Sequence, residues 1–132
     1  PRPVARLRAR ITLIREMPPG STVGYGATHV SRGWERWATI GMGYGDGYPR
    51  RMSNGAAALV NGRRSPLVGR ISMDMSVVDI TAVPGVTIGD TVTLIGCDGD
   101  EHITLEDVAR KAGTISYEIL TGFTPRLPRV EI

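Results

Sequence analysis

Glycine and proline recur at short intervals along this chain and divide it into segments too short for long helices. The sequence contains 17 glycines and nine prolines in 132 residues. Both residues interrupt regular structure, glycine because it tolerates positive φ and proline because it lacks a backbone N–H. A chain divided in this way is expected to form short strands joined by tight turns.

Strand-like segments fill the intervals between these breaks. In residues 3–13, small or apolar side chains alternate with polar ones, which predicts a half-buried strand. Its polar face carries Arg6, Arg8 and Arg10. The Asn61–Gly62 pair predicts a hairpin, because a type I′ turn needs positive φ at both central positions. The hairpin spans residues 56–70, and further strands are predicted at residues 36–42, 75–80 and 90–96.

One helix is clearly marked, over residues 103–113. Thr104 is its predicted N-cap, Asp107 occupies the capping-box position, and Gly113 ends it. A second short helix is predicted at residues 116–123. Several short strands followed by helices predict a β-barrel or a β-sandwich with a helical appendage.

The composition excludes several classes of protein to which this chain could belong. Apolar residues make up 41% of the chain, but no apolar run approaches the ~20 residues of a membrane-spanning helix. No basic-then-apolar signal segment opens the sequence, and the single cysteine, Cys97, fits a reducing compartment. We therefore expect one cytoplasmic domain over residues 1–132, without a membrane partner. Because Pro1 stands first and a strand pattern begins at once, we interpret the chain as a piece of a longer protein.

Several chemical functions are disfavoured by residue spacing. His29, His102 and Cys97 lack the spacing of metal ligands, so no metal site is predicted. The segment GYGDGY resembles a phosphate loop, but neither the lysine motif nor a helix follows it. An arginine-rich β-surface that binds RNA or an acidic partner remains the non-enzyme alternative. Its cations would be Arg6, Arg8, Arg10, Arg50, Arg51, Arg63 and Arg64.

Two tyrosines occupy glycine-rich loops. Tyr25 lies between Gly24 and Gly26, and Tyr44 lies in a similar segment, MGYGDGYPR. Glycines let the backbone take strained conformations and let another chain approach closely, so such side chains project from a rim. A phenol with a pKa near ~10 acts as a base only when a cation or proton relay favours phenolate. A turn tyrosine packed against the end of a barrel is the alternative.

Three segments together resemble the C-terminal domain of alanine racemase. They are PVARLRARITLIREMPPGSTVGYGATHV, IGMGYGDGYPRRMSNGAAALVNGRRSPLVGRISMDMSVVDIT and GTISYEILTGFTPRLPRV, and they follow one another over nearly the whole chain. The resemblance implies a Greek-key-type β-barrel with one or two short C-terminal helices. It also implies a pyridoxal 5′-phosphate (PLP) enzyme that interconverts L- and D-alanine and so supplies D-alanine for peptidoglycan.

The same resemblance implies a composite active site in a head-to-tail homodimer. An N-terminal (β/α)₈ barrel, absent from this chain, would carry PLP on a lysine, and the C-terminal domain of the second subunit would complete the site. Tyr25 is implied as the catalytic phenol, on one face of the substrate α-carbon, with the barrel lysine on the other. Racemisation needs one acid–base group on each face. The isolated chain is therefore expected neither to hold PLP tightly nor to racemise alanine.

Five further residues acquire roles through the resemblance. Met73 is implied to meet the substrate carboxylate with its backbone N–H, and Tyr44 to line the substrate entrance. Arg50 and Arg70 match arginines of that entrance, although ordinary surface or interface charge explains them equally well. Tyr117 matches the tyrosine that hydrogen-bonds the cofactor phosphate; otherwise it would be the buried face of a short helix.

The sequence departs from the family pattern at two of these segments. His29 stands where the family commonly has tyrosine or phenylalanine, and Gly45 stands where alanine is common. His29 lies near Tyr25 in sequence, so it is expected to alter either local proton affinity or packing. An amino-acid racemase of broader specificity is the closest alternative within the enzyme class. The PLP decarboxylases that share this barrel type are disfavoured, since they are not expected to carry the SMDM segment.

Overall fold

The structure is a computed structural model that describes residues 5–23 and 28–130. This part of the chain contains nine strands, two helices and two 3-10 turns. The strands are β1 (Leu7–Met17), β2 (Thr22–Val23), β3 (His29–Val30), β4 (Glu35–Ile40), β5 (Ala57–Val60), β6 (Arg63–Pro66), β7 (Ser76–Asp79), β8 (Thr91–Asp98) and β9 (Glu101–Ile103). The helices are α1 (Leu105–Ala112) and α2 (Ser116–Gly122), and the 3-10 turns, Tyr44–Asp46 and Arg50–Met52, connect β4 to β5.

Seven strands form one antiparallel sheet. The order is β6-β5-β8-β1-β4-β7, and β9 pairs with β8. Most neighbours are not consecutive in sequence, as expected of Greek-key-type connectivity. The two ends of the sheet approach each other where Leu67 bridges Val78, and the Val68 N–H donates to the carbonyl of Val77 at 2.9 Å. The sheet therefore curves until its edges touch, and the predicted mainly β class with two short C-terminal helices is confirmed.

Strand β1 lies at the centre of this sheet and has two partners. Its first half pairs with β8, and its second half pairs with β4. Leu7, Ala9 and Ile11 are buried, whereas Arg8 and Arg10 are exposed, so the predicted arginine face is confirmed. The strand begins and ends four residues later than the predicted range of 3–13. An irregularity after Ile11 changes which side chains face inward and lets the strand continue along β4.

The predicted hairpin and helix caps are confirmed. Asn61 and Gly62 have φ of 47° and 76°, the positive values that the type I′ loop between β5 and β6 requires. At the start of α1, the Asp107 N–H donates to Thr104 Oγ1 at 2.9 Å, and the Thr104 N–H donates to Asp107 Oδ2 at 2.9 Å. Gly113 ends the helix at φ 74°. Hydrogen bonds to the Asp107 carboxylate from the backbone N–H, then from the side chain, of Thr104 hold the pKa of Asp107 below its usual value.

The core lies inside the curved sheet and is closed at one end by the helices. Its fully buried side chains include Trp37, Tyr48, Ile40, Leu59 and Leu94. From α1, Val108, Ala109 and Ala112 pack onto this cluster, and α2 contributes Ile119. Each large apolar side chain buried here contributes about 1.5–3 kcal/mol relative to exposure. Neither helix of the described residues has the length and apolar character needed to cross a bilayer.

Candidate active site

Two turns at one end of the sheet dock against each other through their backbones. The Tyr44 N–H donates to the carbonyl of Ser72 at 3.0 Å, and the Gly45 N–H donates to the carbonyl of Met73 at 2.8 Å. Gly43 makes this approach possible, because a Cβ there would lie 2.3 Å from Ser72 O and 2.4 Å from Met73 O. Tyr44 and Met73, predicted from distant segments, are therefore brought together.

The second of these turns, Ser72–Met75, is closed by its own hydrogen bonds. The Ser72 N–H donates to the carbonyl of Met75 at 3.0 Å, and the Met75 N–H donates to Ser72 Oγ at 3.0 Å. Met73 and Met75 are each 52% exposed at the surface. Within residues 5–23 and 28–130, the backbone N–H of Met73 has no hydrogen-bond partner. Among the described residues, the Met73 and Asp74 N–H groups are thus both free donors at a surface that carries two methionines.

Arg50 joins the same surface through the ring of Tyr44. Its guanidinium carbon lies 5.9 Å from the ring centroid, a cation–π distance. Tyr44 is 44% exposed, and Arg50 is also exposed. The predicted entrance residues Tyr44 and Arg50 therefore form one cationic and aromatic edge beside the Met73 turn.

Arg70 lies at the ends of the loop that contains Tyr25. It follows Gly69, where a Cβ would be 2.8 Å from Val23 Cγ1 and 2.9 Å from Val23 O. The side chain of Asn54 accepts from the Gly69 N–H at 2.6 Å and donates to Thr28 Oγ1 at 2.7 Å. Both ends of the segment between Val23 and Thr28 are thus held next to Arg70.

Tyr25 itself falls in residues 24–27, outside the residues that the structure describes. The strands on either side of it are described: β2 and β3 pair with Val23 opposite His29 and Thr22 opposite Val30. The assignment of Tyr25 as the catalytic phenol stays a prediction. Val23, the last described residue before this segment, packs against Gly69.

His29 connects the pair of strands β2 and β3 to the core. Its Nε2 lies 2.9 Å from Glu35 Oε1, and the same oxygen accepts from Trp37 Nε1 at 2.9 Å. The His29 and Trp37 rings meet edge to face at 5.7 Å. Burial would raise the pKa of Glu35, but hydrogen bonds from His29, Trp37 and the Arg32 N–H together hold it below its usual value. Of the two expectations for His29, the structure shows a packing and hydrogen-bonding contact.

Tyr117 lies on α2 and is 78% exposed. Its phenol makes no hydrogen bond within the part of the chain that the structure describes, so the alternative of a buried helix face is wrong. The segment after α2 is anchored on the first 3-10 turn, because the Thr124 N–H donates to the carbonyl of Asp46 at 3.1 Å. Thr124 Oγ1 also donates to the carbonyl of Gly45 at 3.0 Å. The end of helix α2 is therefore fixed to the turn that carries Tyr44.

Sequence reasoning missed an ion-pair network that joins the two turns of this surface. The Arg126 Nε lies 3.4 Å from Asp46 Oδ1, and its Nη2 donates to Asp74 Oδ1. The hydrogen bond to Asp74, followed by the charge of Asp46, raises the pKa of Arg126. Asp46 was visible in the GYGDGYPR motif, but nothing in the sequence connects it with an arginine near the C-terminus. Among the described residues, no group of three or more His, Cys, Asp or Glu side chains is arranged to hold a metal ion.

Comparison with known proteins agrees with the resemblance found in the sequence. A family model described as "Alanine racemase, C-terminal domain" matches residues 4–131. An alanine racemase from Halothermothrix orenii is 44% identical over 128 residues, which are 97% of this chain and 34% of that protein.

Solved structures agree with the sequence match. A crystal structure of alanine racemase from Bacillus anthracis with bound L-Ala-P superposes with a TM-score of 0.90 at 40% identity, covering 96% of this chain and 32% of that one. Alanine racemase from Bartonella henselae, with covalently bound pyridoxal phosphate, gives a TM-score of 0.90 at 38% identity, with coverage of 96% and 34%. The chain spans about a third of the length of the proteins it matches.

Proposed function

Since this chain belongs to the alanine racemase C-terminal domain family, we propose that it is one part of a PLP-dependent enzyme that interconverts L- and D-alanine. The rest of the enzyme, including the lysine that would hold the cofactor, lies in sequence that this chain does not contain. The relatives bear the name alanine racemase, and one was solved with pyridoxal phosphate bound. We further propose a cytoplasmic homodimer whose product, D-alanine, serves peptidoglycan synthesis.

Tyr25 is the proposed acid–base group on one face of the substrate. Removal of the α-proton from one face and return of a proton to the other requires two groups, and this chain supplies the phenol. Val23 and Thr28, which flank the segment that contains Tyr25, are held by contacts with Gly69 and Asn54. These fixed flanking residues support the proposal that the Tyr25 side chain is presented to the site of the second subunit.

The Met73 turn is the proposed receptor for the substrate carboxylate. A backbone N–H that no group of the described chain uses is available to donate to a bound anion. Arg50 and Arg70 are exposed cations near the two sides of this region, and they favour the approach of an anionic amino acid. The free N–H of Met73, on the turn that docks against Tyr44 and Gly45, is the observation that carries the proposal.

Tyr117 is the proposed contact with the cofactor phosphate. Its phenol is exposed and unpaired within the described residues, as a donor to an external phosphate must be. When bound, PLP supplies an electron sink for the negative charge that develops at the α-carbon. Nothing in this chain replaces the missing lysine: Lys111 lies in the last turn of α1, where its charge favours the helix dipole. The chain by itself is therefore proposed to be inactive and to lose PLP during gel filtration.

Substitution of Tyr25 in the full-length enzyme tests this function. Tyr25→Phe removes the proton donor and acceptor while keeping the ring, so we expect the rate of α-proton removal from one enantiomer to fall by about 10²–10⁴. The exchange of the α-proton of the other enantiomer should be affected less. Both rates are measured by α-proton exchange in D₂O, with Tyr48→Phe as the matched phenol control, because the Tyr48 hydroxyl is buried in the core and has no partner among the described residues. Rates equal to wild type in both directions would refute the assignment of Tyr25.

A further inference from the structure

Arg126 joins the two turns that form the candidate site. Its side chain extends from the segment after α2 and pairs with Asp46 on the first turn and with Asp74 on the second. Asp74 directly follows Met73, and Asp46 ends the 3-10 turn that begins at Tyr44. One guanidinium therefore spans both turns at the point where their backbones meet.

The burial of the Asp46 carboxylate makes its ion pair with Arg126 necessary. The residue is 6% exposed, and its Oδ2 accepts from the Gly43 N–H at 3.0 Å. A buried carboxylate needs a compensating charge, and removing that charge destabilises the structure around it. Arg126 supplies the cation at the other carboxylate oxygen, at 3.4 Å. The first turn is thereby held in the shape in which Gly45 donates to Met73.

Gly45 leaves the space that Arg126 occupies. A Cβ on Gly45 would lie 2.3 Å from Arg126 Nη1 and 2.9 Å from Met73 Cγ. The guanidinium thus lies close to Gly45 at a position where any larger residue would meet both Arg126 and the Met73 side chain. The planar fork of arginine reaches two carboxylates in different directions, which the single ammonium of lysine does less well.

We propose that Arg126 is a positioning residue, which by bridging Asp46 and Asp74 holds the Met73 N–H in the orientation that receives the substrate carboxylate. This role rests on the proposed function. Arg126 does not touch the substrate; it acts by fixing the separation of the two turns. The two backbone hydrogen bonds between the turns, to Ser72 and Met73, are the contacts that it protects.

The test compares Arg126→Gln and Arg126→Lys in the full-length enzyme. For Arg126→Gln we expect KM for alanine to rise roughly tenfold while kcat changes by less than about threefold, because initial carboxylate binding is weakened. Arg126→Lys should recover part of the loss. Arg110→Gln is the matched control, since Arg110 is an exposed arginine that pairs with a single carboxylate, Asp107, on α1. The control should leave both constants unchanged.

Amide hydrogen exchange of the same proteins supplies a readout that does not depend on activity. The Gly45 amide, which donates to Met73, should exchange faster in Arg126→Gln than in wild type or Arg110→Gln. An unchanged KM, with or without faster exchange, would overturn the positioning role, as would an equal effect of Arg110→Gln. Unchanged exchange would overturn the claim that Arg126 holds the turns.

The outcome also separates this inference from the proposed function. If the wild-type enzyme fails to racemise alanine, the proposed function is wrong and the role toward the substrate carboxylate falls with it. The exchange of the Gly45 amide would then still decide whether Arg126 holds the two turns together. If wild type is active and Arg126→Gln has wild-type KM, the positioning role alone is wrong.

Discussion

Tyr44 and Tyr48 lie four residues apart in one glycine-rich segment, yet they belong to different regions of the molecule. Tyr48 is completely buried in the core, whereas Tyr44 is 44% exposed on the turn that docks against Met73. The methionines divide in the same way: Met42 and Met52 are buried, while Met73 and Met75 are each 52% exposed. Residue type alone therefore does not decide which side chain joins the core.

The difference follows from where the backbone places each side chain. Tyr48 follows the first 3-10 turn and points back under the sheet, where it packs with the core cluster. Tyr44 opens that turn and points away from it, over Arg50. Large apolar side chains exposed together mark a surface that another protein surface or a ligand covers. We therefore interpret the core region as the source of stability and the turn region as the source of function.

The largest difference in stability is expected when Tyr48 and Tyr44 are each replaced by alanine in separate variants. Tyr48→Ala leaves a cavity in the core and should lower the free energy of unfolding by about 3–5 kcal/mol. Tyr44→Ala should change it by less than about 1 kcal/mol, because only a surface cation–π contact is lost. Urea unfolding of both variants measures the difference. Equal losses of stability in the two variants would contradict the interpretation that the core region, and not the turn region, stabilises the fold.

Alkaline pH should also distinguish the buried Tyr48 from the exposed Tyr44. Burial raises the pKa of Tyr48 well above its usual value, so the unfolded chain loses this proton first as pH rises. Stability is then complete below about pH 10 and falls by about 1.4 kcal/mol per pH unit above it. Tyr48→Phe should abolish this loss and Tyr44→Phe should not, when unfolding is followed between neutral and alkaline pH.

Tyr48→Phe sharpens the comparison at neutral pH as well. The Tyr48 hydroxyl is buried and has no hydrogen-bond partner among the described residues. Its removal should therefore cost no stability, in contrast to the loss in Tyr48→Ala. A clear destabilisation by Tyr48→Phe would show that the hydroxyl is paired in solution.

The contact between the core and the pair of strands β2 and β3 should have a smaller effect. Glu35 joins His29 of β3 to Trp37 of the core, so Glu35→Gln should cost about 1 kcal/mol at neutral pH. Because the folded pKa of Glu35 is lowered, this stabilisation is present above its unfolded pKa of about 4.3 and is lost as pH falls below it. Unfolding at neutral and acidic pH measures both effects, with the exposed Glu16→Gln as control. A difference from wild type that stays constant down to acidic pH would contradict this account.

The smallest effect on stability is expected at Tyr117. Its exposed phenol pairs with nothing in the described chain, so Tyr117→Phe should change the free energy of unfolding by less than about 0.5 kcal/mol. In the full-length enzyme, however, the same variant should release PLP more readily during dialysis. Unchanged retention of PLP would remove Tyr117 from the proposed cofactor contacts.

Local sequence patterns were sufficient to predict the elements whose hydrogen bonds join residues close together in the sequence. The hairpin at Asn61–Gly62 and the cap formed by Thr104 and Asp107 depend on residues within a few positions of one another, and both were predicted with the right chemistry. The two-residue strands β2 and β3 and the three-residue strand β9 were not predicted, because they are too short to show a period. The pairing of β1 with β8 was not predicted either, because it joins residues near opposite ends of the chain and no local pattern records it.

The candidate site shows the same limit. The resemblance to a family named Tyr44, Arg50 and Met73, and the structure brings these three residues together, although their roles stay predictions. Arg126 was missed because both of its partners lie far away along the chain, at Asp46 and Asp74. Ion pairs between distant segments leave no periodic signal in a single sequence.

The central place of β1 also bears on how a ribosome-bound chain avoids aggregation. β1 is the first strand of this domain to be synthesised, but Ile95, the partner of Leu7, emerges only after most of the other strands. Until then one edge of β1 stands open to neighbouring nascent chains. Arg8, Arg10 and Arg15 lie at exposed positions of this strand. When two growing chains meet, the arginines of one β1 strand repel those of the other, and this repulsion disfavours pairing between the chains.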